Sequence, residues 1–155
     1  MFTMALIGSV QSPVSAMPKA QHQSESQLPA RLADILARSG YTYRKAADNV
    51  WLVNFKGSSL NDFQVLVTST ENLVVIGVVV AKKNSMNVTP EMMLKLLRVV
   101  HEIDRVKIGF DEDEDLFLRA EVTAKCFDLE EFKADIEQVA AGADKVHARI
   151  KTYLK

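Results

Sequence analysis

The chain has 155 residues, 48% of them hydrophobic and 25% charged, with a net charge of −1 and a single cysteine. That length suits one domain whose core needs no disulfide or metal to hold it. The near-neutral balance excludes a nucleic-acid binder that works by neutralising phosphates, and no window reaches the roughly 20 apolar residues of a membrane-spanning helix.

Residues 1–26 read as a disordered leader ahead of one domain over residues 27–155. Met1 to Val10 is mildly apolar and Ser15-Ala16 resembles a cleavage site. No Lys or Arg precedes the apolar part, so an export signal is the lesser reading, and Met17 is an alternative start.

A first helix is expected from Leu28 to Ser39, with Pro29 in its first turn and Leu28, Leu32, Ile35 and Leu36 at helical spacing. Gly40 suits its left-handed end. Three strands follow, through Trp51-Val53-Phe55, then Phe63-Val65-Val67, then the all-apolar run Leu73 to Ala81. Thr89-Pro90 reads as the cap and first position of a second helix reaching about Asp104. A hairpin comes next: Val106, Ile108 and Phe110, an acidic turn from Asp111 to Asp115, then Leu116, Leu118, Ala120 and Val122. Asp128, with Glu131 three residues on, has the form of a capping box for a long last helix. Its stripe is Leu129, Phe132, Ile136, Val139, Ala143, Val146 and Ile150. The class expected is therefore α+β: a five-stranded, mostly antiparallel sheet with three helices, in the order α-β-β-β-α-β-β-α.

No constellation of residues proposes a reaction. His22, His101 and His147 have no metal-ligand spacing, and Cys126 has no second cysteine beside it. That lone thiol fits a reducing, cytoplasmic setting and reads as a small buried hydrophobe. The acidic turn lacks the glycine and distal glutamate of a calcium loop and reads as a solvated hairpin turn. Ser58-Ser59 sits in a turn with no histidine near it in sequence. No cofactor, metal or catalytic residue is assigned, and an enzyme of unrecognised type has no motif in its favour.

Surplus apolar surface is the informative feature. The helix from Pro90 carries Met92, Met93, Leu96, Leu97, Val100 and Ile103 over an arc wider than one core-facing stripe, which suggests a homodimer contact. Leu52, Leu66 and Phe117 are the outward candidates of a sheet covered on one side, which suggests a surface for a polypeptide partner.

Three passages carry a family resemblance over about residues 28–154. They are Ser39-Gly40-Tyr41 leading to Trp51-Leu52-Val53-Asn54-Phe55, the helix end Val99-Val100-His101-Glu102-Ile103, and the hairpin Ile108-Gly109-Phe110-Asp111-Glu112-Asp113 continuing into Leu116-Phe117-Leu118-Arg119-Ala120-Glu121. In these the chain resembles the YbjN family, described as bacterial sensory-transduction regulators. The resemblance implies the fold of the type III secretion chaperones, a chaperone-like dimer and a role in signalling or secretion, and it supplies no active-site residues. The reading is a non-enzymatic, homodimeric, chaperone-like adaptor in the cytoplasm that holds a protein partner, with no nucleic acid and no membrane. The alternative is a small-molecule sensor with an apolar pocket between helix and sheet, lined by Met92, Met93 and Trp51.

Overall fold

Helix α1, Gln27–Ser39, opens the part of the chain that the computed structural model describes, residues 27–155. The leader reading lies outside the described residues. Leu28, Leu32, Ile35 and Leu36 form the buried stripe of α1, and Gly40 ends it at φ 84°, a conformation that costs other residues about 1 kcal/mol or more. The sheet strands are β1 Tyr43–Ala47, β2 Val50–Lys56, β3 Asp62–Ser69, β4 Leu73–Ala81, β5 Lys107–Phe110 and β6 Leu116–Thr123. Helix α2, Pro90–Val100, joins β4 to β5, and α3, Leu129–Ile150, follows β6.

The sheet thus has six strands rather than the expected five, ordered β1-β2-β3-β4-β6-β5 with antiparallel neighbours throughout. The additional strand is β1, and every residue of its Tyr-Arg-Lys-Ala-Ala sequence is exposed. With no face to bury, it has no apolar alternation, and it forms because β2 offers it a ladder (Arg44 opposite Leu52, Lys45 opposite Trp51). Two cations on an outermost strand also discourage pairing with another chain.

One face of the sheet carries Trp51, Val53, Val65, Val67, Val74, Ile76, Val78, Leu118 and Ala120, all buried. Helix α3 lies over β4 and β6, α1 packs against β3 and α3, and α2 rests beside α3. Helix α3 brings Phe132, Ile136, Val139, Ala143, Val146 and Ile150 to that core. Asp128 caps it by accepting the Glu131 N–H at 2.9 Å, but the returning arm of the capping box does not form. The Glu131 side chain pairs with Arg105 instead.

Two other expectations are corrected. Helix α2 stops at Val100 rather than near Asp104, because the chain turns through His101 to place Ile103 back in the core. The acidic turn is not wholly solvated. Asp115 is buried and accepts Lys82 Nζ at 2.5 Å and the Lys83 N–H at 2.8 Å, which anchors the segment leaving β4. That segment, on its way to α2, is tied to the residues after α3. Asn87 N–H donates to Tyr153 O at 2.8 Å, and Lys155 N–H donates to Ser85 O at 2.9 Å.

Candidate functional site

The three helices of the described residues pack on one side of the sheet, so side chains of opposite parity along each strand face away from them. Leu52 pairs across from Leu66, Leu66 from Gly77, and Val79 from Phe117, which gathers these residues with Val75 on the face that no element of the described residues covers. They line a shallow hollow of about 420 Å³. Its lowest point is Gly77, where an added Cβ would stand 3.3 Å from the Cβ of Arg119. The Phe117 ring does not stand up from the sheet. It lies over Gly109, where an added Cβ would meet Phe117 Cζ at 3.2 Å, and the Arg119 guanidinium carbon sits 5.2 Å from the ring centre. The result is a broad apolar floor with Asn54, Gln64 and Arg119 at its margin. Leu52, Leu66 and Phe117, picked from alternation alone, lie on this one face.

The six residues picked on the second helix divide. Met92, Leu96 and Ile103 are core residues, so a dimer contact through them is corrected: they are turned toward α3 and the sheet and have no surface to offer. Met93, Leu97 and Val100 are exposed, Leu97 to 64%, and Leu94 joins them at 50%. Leu94 is not among the residues picked from the sequence, yet it belongs with this exposed set. On a 100° wheel it stands only 60° from Leu97, and the four residues span a 120° arc. The proposed sensor pocket is corrected as well. Trp51 and Met92 are packed inside the core while Met93 faces out, and none of the three lines any of the molecule's main hollows.

Cys126 is exposed, contrary to its reading as a buried hydrophobe. Among the described residues no three His, Cys, Asp or Glu side chains are placed to hold a metal ion, and no helix is long and apolar enough to cross a membrane. One polar cluster was invisible in the sequence because its parts lie more than eighty residues apart. Ser59 Oγ and His147 Nδ1 are hydrogen-bonded at 2.8 Å, and Asp144, one turn before His147, is adjacent. The acid does not serve the histidine. Its Oδ1 accepts the N–H groups of Ser59 and Leu60, both at 2.7 Å, so the cluster clasps the β2–β3 loop to α3. Burial raises the Asp144 pKa, but the N–H groups of Leu60, Ser59 and Ser58 outweigh it and hold the carboxyl below its usual range.

Burial lowers the His147 pKa below the ordinary 6.5, against the pull of Asp144 and with help from Lys151. The unfolded chain then takes up this proton more readily than the folded one. The contribution of neutral His147 is full above about pH 6.5 and is lost as pH falls through the lower folded value. Melting temperature should fall between pH 7.5 and 5.5, and His147→Gln, which keeps a hydrogen-bonding partner for Ser59, should flatten that slope. An unchanged slope in the variant assigns the effect to another group.

A helix-covered antiparallel sheet with this strand order has the secretion-chaperone-like architecture that the resemblance implies, and solved structures support that class. One is the "heterodimeric complex ExoU-SpcU from the type III secretion system (T3SS) of Pseudomonas aeruginosa", matched at 16% identity with a TM-score of 0.57 over 77% of this chain and 97% of the other. Another is the "ExsC-ExsE Complex", also at 16% identity and a TM-score of 0.57, over 81% of this chain and 95% of the other. At that identity the likeness establishes the fold and nothing finer. No protein-family model and no curated protein matches the sequence.

Proposed function

We propose that this protein is a non-enzymatic, chaperone-like adaptor that pairs with a second copy through α2 and holds a polypeptide partner on its open sheet face. The observation that carries the reading is the presence of two apolar surfaces left outside the core. One is the hollow around Gly77 bounded by Leu52, Leu66, Val79 and Phe117; the other is the exposed arc Met93, Leu94, Leu97 and Val100. A contiguous apolar patch rimmed by polar residues is the usual mark of a protein-binding surface. Burial at about 25 cal/mol per Å² would supply the driving force before the costs of association. Complexes in which the similar chains are found, ExoU-SpcU and ExsC-ExsE, are themselves assemblies of two different proteins, and this supports a protein partner. The YbjN resemblance adds a setting in bacterial signal transduction.

The test is an affinity capture from native lysate with the full chain as bait, read by mass spectrometry beside Leu66→Asp. Leu66 is half-buried at the centre of the open face, where a carboxylate would sit on the floor of the hollow without entering the core. One protein held by the wild type and lost by the variant supports the adaptor. Equal capture by both removes the sheet face from the function.

A further inference from the structure

The exposed arc of α2 has charge along one flank only. On a wheel of about 100° per residue, Arg98 stands about 40° beyond Leu94 and Glu91 about 20° further, and both are exposed. The other flank, formed by Leu96 and Val100, holds no charged residue of the helix.

Both charges are left over from folding. Among the described residues neither Glu91 nor Arg98 forms an ion pair. Lys95, one turn after Glu91, holds its ammonium group 4.9 Å from the centre of the Tyr153 ring. Glu102, one turn after Arg98, is taken by Lys145 and Arg149. Charges that flank an exposed apolar seam are what set the orientation of paired helices.

A twofold axis that crosses two copies of α2 at right angles makes the helices antiparallel and sets each flank against its own copy. An axis that runs along the helices makes them parallel and sets each flank against the opposite one. Parallel pairing would therefore lay Glu91 and Arg98 against Leu96 and Val100, with neither charge answered. Antiparallel pairing about a point between Leu94 and Leu97 answers both. With a rise of about 1.5 Å per residue, Leu94 meets Leu97, Met93 lies about 3 Å along the axis from Val100, and Glu91 lies about 3 Å from Arg98. Lys95 is the residue of that flank nearest the twofold, and its side chain is already drawn back over Tyr153.

We propose, on the reading of α2 as the dimer contact, that two copies pair with this helix antiparallel, Leu94 of each on Leu97 of the other and Glu91 of each on Arg98 of the other. The apolar seam supplies the attraction, and the two ion pairs at its rim fix the order.

The test exchanges the charges in the full-length protein. Glu91→Arg and Arg98→Glu should each fold, since both positions are exposed, and circular dichroism checks this. Each variant alone faces like charge at both ends of the contact, so sedimentation at low salt should give a dimer at least about tenfold weaker than the wild type. An equimolar mixture of the two variants restores opposite charges at both ends and should associate as tightly as the wild type. The proposal is overturned if either variant alone dimerises as well as the wild type, or if the mixture associates no better than its components. In both cases a dimer that Leu97→Asp still dissociates keeps the α2 contact and loses only its antiparallel order. A monomeric wild type removes the contact and the order together.

Discussion

Leu97→Asp should convert the proposed homodimer into a folded monomer, whereas Leu96→Asp, one residue away on α2, should leave no folded protein. Leu97 is 64% exposed and Leu96 only 4%. A carboxylate at 97 meets water in the monomer and a desolvated contact in the dimer. Substitutions at such a surface position change intrinsic stability by about 0.5 kcal/mol or less, or roughly 2 °C in melting temperature. A carboxylate at 96 enters the apolar core. Burying an unpaired charge costs several kcal/mol, comparable with the roughly 5–15 kcal/mol that holds a domain of this size. Light scattering and circular dichroism on both variants separate the two effects. A Leu97→Asp protein that stays dimeric would place the contact elsewhere and end the assignment of α2.

Phe132→Ala should be among the most damaging truncations in the chain. The ring is fully buried and meets Phe127 edge-on at 5.9 Å and Tyr41 at 6.1 Å, so its removal leaves two aromatic neighbours facing a void. Losses of about 3–5 kcal/mol are typical of such a change. Tyr41 also donates its hydroxyl to Glu137 at 2.8 Å, and burial with that carboxylate raises its pKa to about 12. The same truncation at Phe117 should cost much less, because that ring rests on the open face. Urea unfolding measures both, and a Phe132 cost no larger than the Phe117 cost would refute the layering of core and open face described above.

Much of the architecture was legible before any coordinates, for a consistent reason. Where burial is one-sided it writes a period: Leu28, Leu32, Ile35 and Leu36 on α1, Phe132 to Ile150 on α3, and the alternation of β2 and β3 that singled out Leu52 and Leu66. Where burial is absent there is no period, and β1 passed unseen. Its five exposed residues are held by backbone pairing, which leaves little trace in side-chain choice. The second helix shows the limit of the other extreme. The seven apolar positions of α2 cover two faces and reveal that surface is in surplus, but not that Met92, Leu96 and Val99 are the three that point inward; the phase was fixed by how α2 leans on α3. The Asp144-Ser59-His147 clasp is a product of tertiary folding, and no local pattern encodes it.

The ties from Ser85 and Asn87 to residues 153–155 have a bearing on how the molecule is made. The segment that delivers α2 is fastened to chain that follows α3, more than sixty residues later. During synthesis the α2 segment leaves the ribosome well before its anchor does. For that interval its outward leucines, and the inward set that belongs on α3, are both bare, so newly made chains are most vulnerable to clumping just before the last helix is complete.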